Sequence, residues 1–301
     1  MNGQAPTGSD ARALYARMRL IRRFEETLLE LFAAGKLHGT THTCIGQEAD
    51  AAGVISCLEP ERDVVVSNHR CHGHYLAFTD DVDGLLREVM GRVGGVCGGK
   101  GGSQHLFAGN FYSNGVLGST VPVAAGMALA EREKGGGAIA TVFVGDGTLG
   151  QGVVYESLNI ASLWKLPLLV VVEHNGYAQS TPSTLQLAGD VESRARAFGV
   201  ATSRHDTTDV LEVRAAAREG VDHARAPRRA AAGSRWPRRR AGRADRRRAA
   251  QAPARSSATA SADPAHVKAA EGERVDAERD ARDDGSSGGQ RVRRIRPQAV
   301  Q

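Results

Sequence analysis

What the 301-residue sequence lacks narrows its class before any motif is read. No apolar run approaches the ~20 residues that cross a bilayer. The stretch Met1 to Asp10 is polar and has no signal-peptide core. The four cysteines, Cys44, Cys57, Cys71 and Cys97, form neither a CxxC pair nor a metal-ligand spacing, so they read as reduced thiols of a cytoplasmic protein with no membrane partner. Leucine stops at Leu211 and phenylalanine at Phe198. The net charge of +5 is unevenly spread: residues 226–301 hold 19 Lys and Arg against 9 Asp and Glu, leaving 20 against 25 in the first 225. A basic surface for nucleic acid is therefore confined to the last quarter. Trp236 is the sole aromatic there for base stacking, so nucleic acid is not the expected partner. What is present, 41% hydrophobic residues in 301, suits a soluble enzyme of one large or two ordinary domains.

Periodicity divides the chain. From Asp10 to Ala34, apolar residues Leu14, Met18, Ile21, Phe24, Leu28, Leu29 and Phe32 recur at helical spacing, with Gly35 as a stop. Gln47 to Leu58 predicts a shorter helix, Asp63 to Ser67 a buried strand, and Leu85 to Met90 a helical turn. Gly91 to Gly118 is dense in glycine and reads as an ordered loop approaching a ligand. Pro122 suits the first turn of a helix from Val121 to Lys134. Then follow a strand Ala138 to Val144, a helix Gln151 to Trp164, a strand Leu166 to Glu173 and a helix Asp209 to Ala224. Strands alternating with helices imply an α/β fold: a parallel sheet with helices on both faces. The domain is expected to occupy 1–225. The stretch Ala226 to Ser261 is nearly all Ala, Arg, Pro, Ser and Gly, too poor in apolar surface to offset ordering entropy, so a disordered, low-complexity tail is expected over 226–301.

The chemistry concentrates at Gly145-Asp146-Gly147-Thr148, which closes a strand, and at His174-Asn175-Gly176-Tyr177, which closes the next. A strand that ends in a carboxylate, then a glycine turn, then a helix N-terminus can hold a phosphate on backbone N–H groups. Neighbouring parallel strands end at one sheet edge, so Asp146 and Asn175, 29 residues apart, can share a cation. Hard oxygen donors with diphosphate oxygens suit octahedral Mg2+. A turn and a strand-end cap are the bland alternative.

This pattern resembles the thiamine diphosphate motif, which begins GDG and ends NN about thirty residues on. Here His174 replaces the first Asn and Asn175 keeps the ligand position. The likeness continues through Met18 to Glu26, Gly46-Gln47-Glu48-Ala49, His69-Arg70-Cys71-His72-Gly73-His74, Gly99 to His105, Asn114 to Gly118, Glu156 to Ala161 and Trp164 to Pro167. In that order these motifs are similar to the alpha subunit of the decarboxylating component of the pyruvate, branched-chain 2-oxo acid and acetoin dehydrogenase group, over residues 12 to 225. The resemblance implies the thiamine-diphosphate-binding fold, with thiamine diphosphate and Mg2+ as cofactors. It places Gly145, Asp146, Gly147 and Thr148 against the diphosphate, with Asp146, Asn175 and the Tyr177 carbonyl on the metal. Arg70 grips the diphosphate, beside His69, which stands where pyruvate-type members have tyrosine and acetoin-type members look closer to this chain. Gly115 and Leu117 hold the aminopyrimidine through their backbone. His42 is the implied catalytic histidine, His105 a second at the loop's end, and His72 and His74 are structural. The implied activity is oxidoreductase: decarboxylation of a 2-oxo acid, with the acyl group passing to the lipoyl disulfide of a transacylase, or cleavage of acetoin. The activating glutamate of the group lies on a beta subunit, which implies an alpha2beta2 heterotetramer.

The resemblance ends with the Asp209 helix. Members continue with a strand and a loop reading roughly GHS and then an acidic residue, and no such sequence follows Ala226. Arg228 to Arg248 reads as a GC-rich gene translated in a shifted frame. A degenerate chain that binds thiamine diphosphate without turnover, and a transketolase-like half chain, are the rival readings.

Overall fold

The computed structural model describes residues 8–37, 39–226 and 299–300. The expected tail, 226–301, lies outside the described residues apart from Ala226 and a two-residue strand at 299–300.

Helix α1 (Gly8–Ala33) follows the stripe: Leu14, Ile21, Phe24 and Leu28 are buried. Leu29 and Phe32, towards the C-terminal end of the helix, depart from it and are exposed. Gly35, at φ +67°, turns the chain out of the helix, and the Lys36 N–H closes back on the Leu31 carbonyl at 2.9 Å. Helix α2 (Glu48–Ile55) is buried along its whole length. Its Gly53 lets a later helix approach closely: a Cβ there would sit 2.8 Å from Val213 Cγ1.

Strand β1 (Val64–Ser67) is followed by α3 (His72–Thr79) and α4 (Val82–Val89), the latter capped by the Asp81 carboxylate accepting the Gly84 N–H at 2.8 Å. The glycine-rich segment is less irregular than expected. It contains β2 (Phe107–Ala108) and β3 (Phe111–Ser113), a hairpin formed because Phe111 buries fully between Tyr75 and Phe78 while Tyr112 pairs with Phe107. Helix α5 (Thr120–Lys134), β4 (Ala140–Gly145), α6 (Gly152–Trp164) and β5 (Leu168–Glu173) come next, close to their expected bounds. A 3-10 turn, Asp146–Gly150, separates β4 from α6. After β5 come the small hairpin β6 (Tyr177–Ala178) and β7 (Thr181–Pro182), helix α7 (Val191–Arg196), β8 (Arg204–His205), α8 (Val210–Arg225) and β9 (Ala299–Val300), which pairs with β8.

The main sheet has the order β2-β3-β1-β4-β5, and all its pairings are parallel except that of the β2–β3 hairpin. Alternation divides it into two cores. Val65, Phe143, Leu169 and Val171 face α1, α2, α3 and α8, whereas Val64, Val66, Val142, Val144 and Val172 face α5 and α6. Helices thus cover both faces, as a buried parallel sheet requires. Among the described residues no helix is long and apolar enough to cross a membrane.

Candidate functional site

The register between β4 and β5 sets Gly145 opposite Glu173, so the two strands end together. Asp146, only 2% exposed, links the loops that follow them: its Oδ1 accepts the Gly147 N–H at 2.9 Å and its Oδ2 the Gly176 N–H at 3.1 Å. The Asn175 side chain folds over the second loop, its Oδ1 accepting the Tyr177 N–H at 2.9 Å. A Cβ on Gly147 would lie 2.7 Å from that of Ala178, so only glycine lets the hairpin β6–β7 close over the first turn.

These loops form one end of a 310 Å3 cavity. Gly145, Asp146, Gly147, Thr148, Asn175 and Tyr177 line it, as do His69 and Arg70 from the β1–α3 connection, Gly115 and Leu117 from the loop after β3, and His42 from the segment before α2. Eleven of the twelve residues singled out in the sequence therefore meet at one place. His105 does not. It is exposed, because Gln104 before it takes the inward position and Leu106 after it is buried. A larger cavity of 410 Å3 between α6, β5 and α8 contains none of the twelve, and so size does not decide the site.

The cavity also has walls that the sequence did not reveal: Gln47, Asn68, Gln104, Glu173, Ala178 and Gln179. Asn68 and Glu173 follow the same logic as Asp146, polar residues at or beside parallel-strand ends, and strand-end position was the signal that could have found them. Asn68 Oδ1 accepts the Arg70 N–H at 2.7 Å, and its Nδ2 donates to Glu173 Oε2 at 2.8 Å. Arg70 Nη1 donates to the Thr43 carbonyl at 2.6 Å, which fixes the segment carrying His42.

Two imidazoles meet edge to face, His42 and His69, with ring centroids 4.7 Å apart. Burial, then the positive charge of Arg70 and the neighbouring His42, push His69 down to about 4. Burial and Arg70 lower His42 as well. Desolvation and a nearby cation both disfavour imidazolium, so the pair is neutral near pH 7. Burial, aided by Asp50 and opposed by His74, raises the Glu173 carboxyl above its usual range. His72, expected to be structural, is fully buried between Glu25 Oε1 at 3.1 Å and Ser103 Oγ at 2.8 Å. The glycine-rich loop gathers around Glu88, whose two oxygens accept the N–H groups of Cys97, Gly99, Gly101 and Gly102.

Residues 16–229 match the family described as dehydrogenase E1 component. The pyruvate dehydrogenase E1 component subunit alpha of Zymomonas mobilis is 43% identical over 69% of this chain and 60% of its own length. The alpha subunit of acetoin:2,6-dichlorophenolindophenol oxidoreductase from Cupriavidus necator is 41% identical over 70% of this chain and 65% of its own. Among solved structures, a transketolase from Pichia stipitis superposes with a TM-score of 0.53 at 18% identity, over 73% of this chain and 35% of that one, a likeness of fold alone. The chain spans less than two thirds of the length of these curated relatives. With the family matched over most of its residues and along the motifs that line the cavity, the chain belongs to the dehydrogenase E1 component family.

Proposed function

We propose that the chain is the alpha-type subunit of a thiamine-diphosphate-dependent dehydrogenase that decarboxylates a 2-oxo acid. The observation that carries this reading is the convergence, on one cavity, of two strand-end loops, an arginine and two neutral histidines. The donors suit the cofactor. Asp146, Asn175 and the Tyr177 carbonyl offer oxygen only, the preference of Mg2+. Arg70 offers a guanidinium for the diphosphate. Gly147 and Thr148, at the turn that follows Asp146, line the same cavity and suit the diphosphate. Gly115 and Leu117, which line the same cavity, offer main-chain groups for the aminopyrimidine.

When bound, thiamine diphosphate supplies the electron sink for loss of carbon dioxide. The protein's part is orientation and polarity. His69 Nδ1 is buried without a hydrogen-bond partner and is available to the substrate oxygen or carboxylate. Neutral His42, held beside it by the Arg70–Thr43 link, can accept or return a proton. The beta subunit supplies the remaining wall and the activating glutamate in an alpha2beta2 assembly, and a lipoyl-bearing transacylase takes the acyl group. Acetoin is the second substrate reading, favoured by histidine rather than tyrosine at position 69.

The test is co-purification of the full chain with a beta-type partner, then assay with pyruvate, branched-chain 2-oxo acids and acetoin in thiamine diphosphate and Mg2+. Turnover of a 2-oxo acid supports the main reading and turnover of acetoin alone the second. Cofactor binding without turnover of any substrate would mean a chain that retains only its half-site.

A further inference from the structure

Behind the cavity wall, α2 brings Asp50, α3 brings His74 and the end of β5 brings Glu173 to one buried point. We propose that these three side chains form a second metal site, distinct from the Asp146–Asn175 position, that takes a divalent transition ion and fits zinc best.

The three residues are 6%, 1% and 4% exposed. Their ligand atoms lie within 4.8 Å of one another. His74 Nε2 is 3.7 Å from Asp50 Oδ2 and 3.5 Å from Glu173 Oε1. Those separations are too long for the usual N–H···O bond of about 2.7–3.2 Å. They match the edge of a tetrahedron: ligands ~2.0–2.1 Å from zinc stand roughly 3.4 Å apart. Both Asp50 oxygens, His74 Nε2 and Glu173 Oε1 are buried with no hydrogen-bond partner, and a cluster of ligand atoms, one from each residue, lies within 4.8 Å. Two adjacent carboxylates and one imidazole leave excess negative charge away from water, which a dication neutralises.

The outer shell is already in place. Ser67 Oγ lies 2.9 Å from His74 Nδ1, an arrangement that lets the hydroxyl accept the Nδ1 proton and leaves the Nε2 lone pair for a metal. Asn68 Nδ2 holds Glu173 Oε2, so Oε1 is the oxygen turned inward. Phe143 stacks on the His74 ring, with centroids 3.8 Å apart, and restricts its tilt. One nitrogen and two oxygen donors suit zinc, with a fourth position left for water. Glu173 also lines the cofactor cavity, which gives an ion its route in. A bound ion would clamp α2, α3 and β5 beneath the Asn68–Arg70 connection. The site is therefore structural, and it does not depend on the catalytic reading above.

The test uses the untagged full chain, incubated with zinc chloride, dialysed into zinc-free buffer containing Mg2+, and measured for zinc by inductively coupled plasma mass spectrometry. About one zinc per chain is expected, retained in Asp146→Asn and reduced at least tenfold in Asp50→Asn, the scale on which metal-site changes act. Glu173→Gln, which keeps an oxygen for Asn68, is the second variant if Asp50→Asn does not fold. Cobalt loading of the wild type should give the visible absorption of a four-coordinate ion. Zinc below about a tenth of an equivalent in the wild type, or wild-type zinc in both variants, would overturn the proposal.

Discussion

The Glu88 carboxylate and the Gly101 N–H, thirteen residues apart, meet at 2.7 Å, and three further N–H groups of the same loop close on that carboxylate. Burial would raise the Glu88 pKa, but these donors outweigh it and hold it below the usual range. Glu88→Ala leaves four N–H groups without this acceptor. A loss of about 3 kcal/mol or more is expected in urea unfolding, with a smaller loss for Glu88→Gln, which keeps one acceptor oxygen. Equal losses for the two would contradict the account.

His69 gives the protein an acid-labile increment of stability. Its folded pKa of about 4 lies below the 6.5 of an unperturbed histidine, so the unfolded chain binds the extra proton. Stability from this group is therefore complete above 6.5 and falls as pH drops from about 6.5 toward 4. In His69→Gln the thermal midpoint should vary less across that window than in the wild type. An unchanged slope would mean that the histidine is solvated.

At Gly147 an added methyl would meet Ala178, so Gly147→Ala must move the β6–β7 hairpin or the turn. Overpacking of this kind costs ~1–3 kcal/mol. Thiamine diphosphate affinity, read by calorimetry, should fall with it. The double change Gly147→Ala with Ala178→Gly should recover part of both.

Arg70→Lys tests the guanidinium. It keeps the charge but loses the planar fork and the hold on the Thr43 carbonyl. A weakening of diphosphate binding by about ten- to a hundredfold is expected, in line with ~1.5–3 kcal/mol for a hydrogen bond to a charged group. Binding of the cofactor's unphosphorylated form, thiamine, should change little.

Much of this site could be read from the chain because its parts are local. A strand ending in Gly145-Asp146-Gly147 and another ending at Asn175 place their own loops, and parallel pairing places them together. His105 lies outside the cavity lining, and sequence spacing does not say which way a residue faces as an irregular loop enters a strand. The hairpin β2–β3 was hidden by the surrounding glycines, although Phe111 and Tyr112 carry it. Helix α3 has no periodic signature in the sequence, because His72-Gly73-His74 lacks an amphipathic stripe, being buried on all sides. The network Asp50–His74–Glu173 joins three elements distant in sequence, and no local pattern announces it.

The division of the sheet into two cores has an evolutionary corollary. Val142 and Phe143 are neighbours that serve opposite sides. Loss or gain of a single codon inside β4 would exchange valines for a phenylalanine throughout and rotate Asp146 to the wrong side of the sheet. Register in these strands is thus tightly constrained: a one-residue change of length inside a strand moves every side chain beyond it to the other face, whereas a substitution alters one contact.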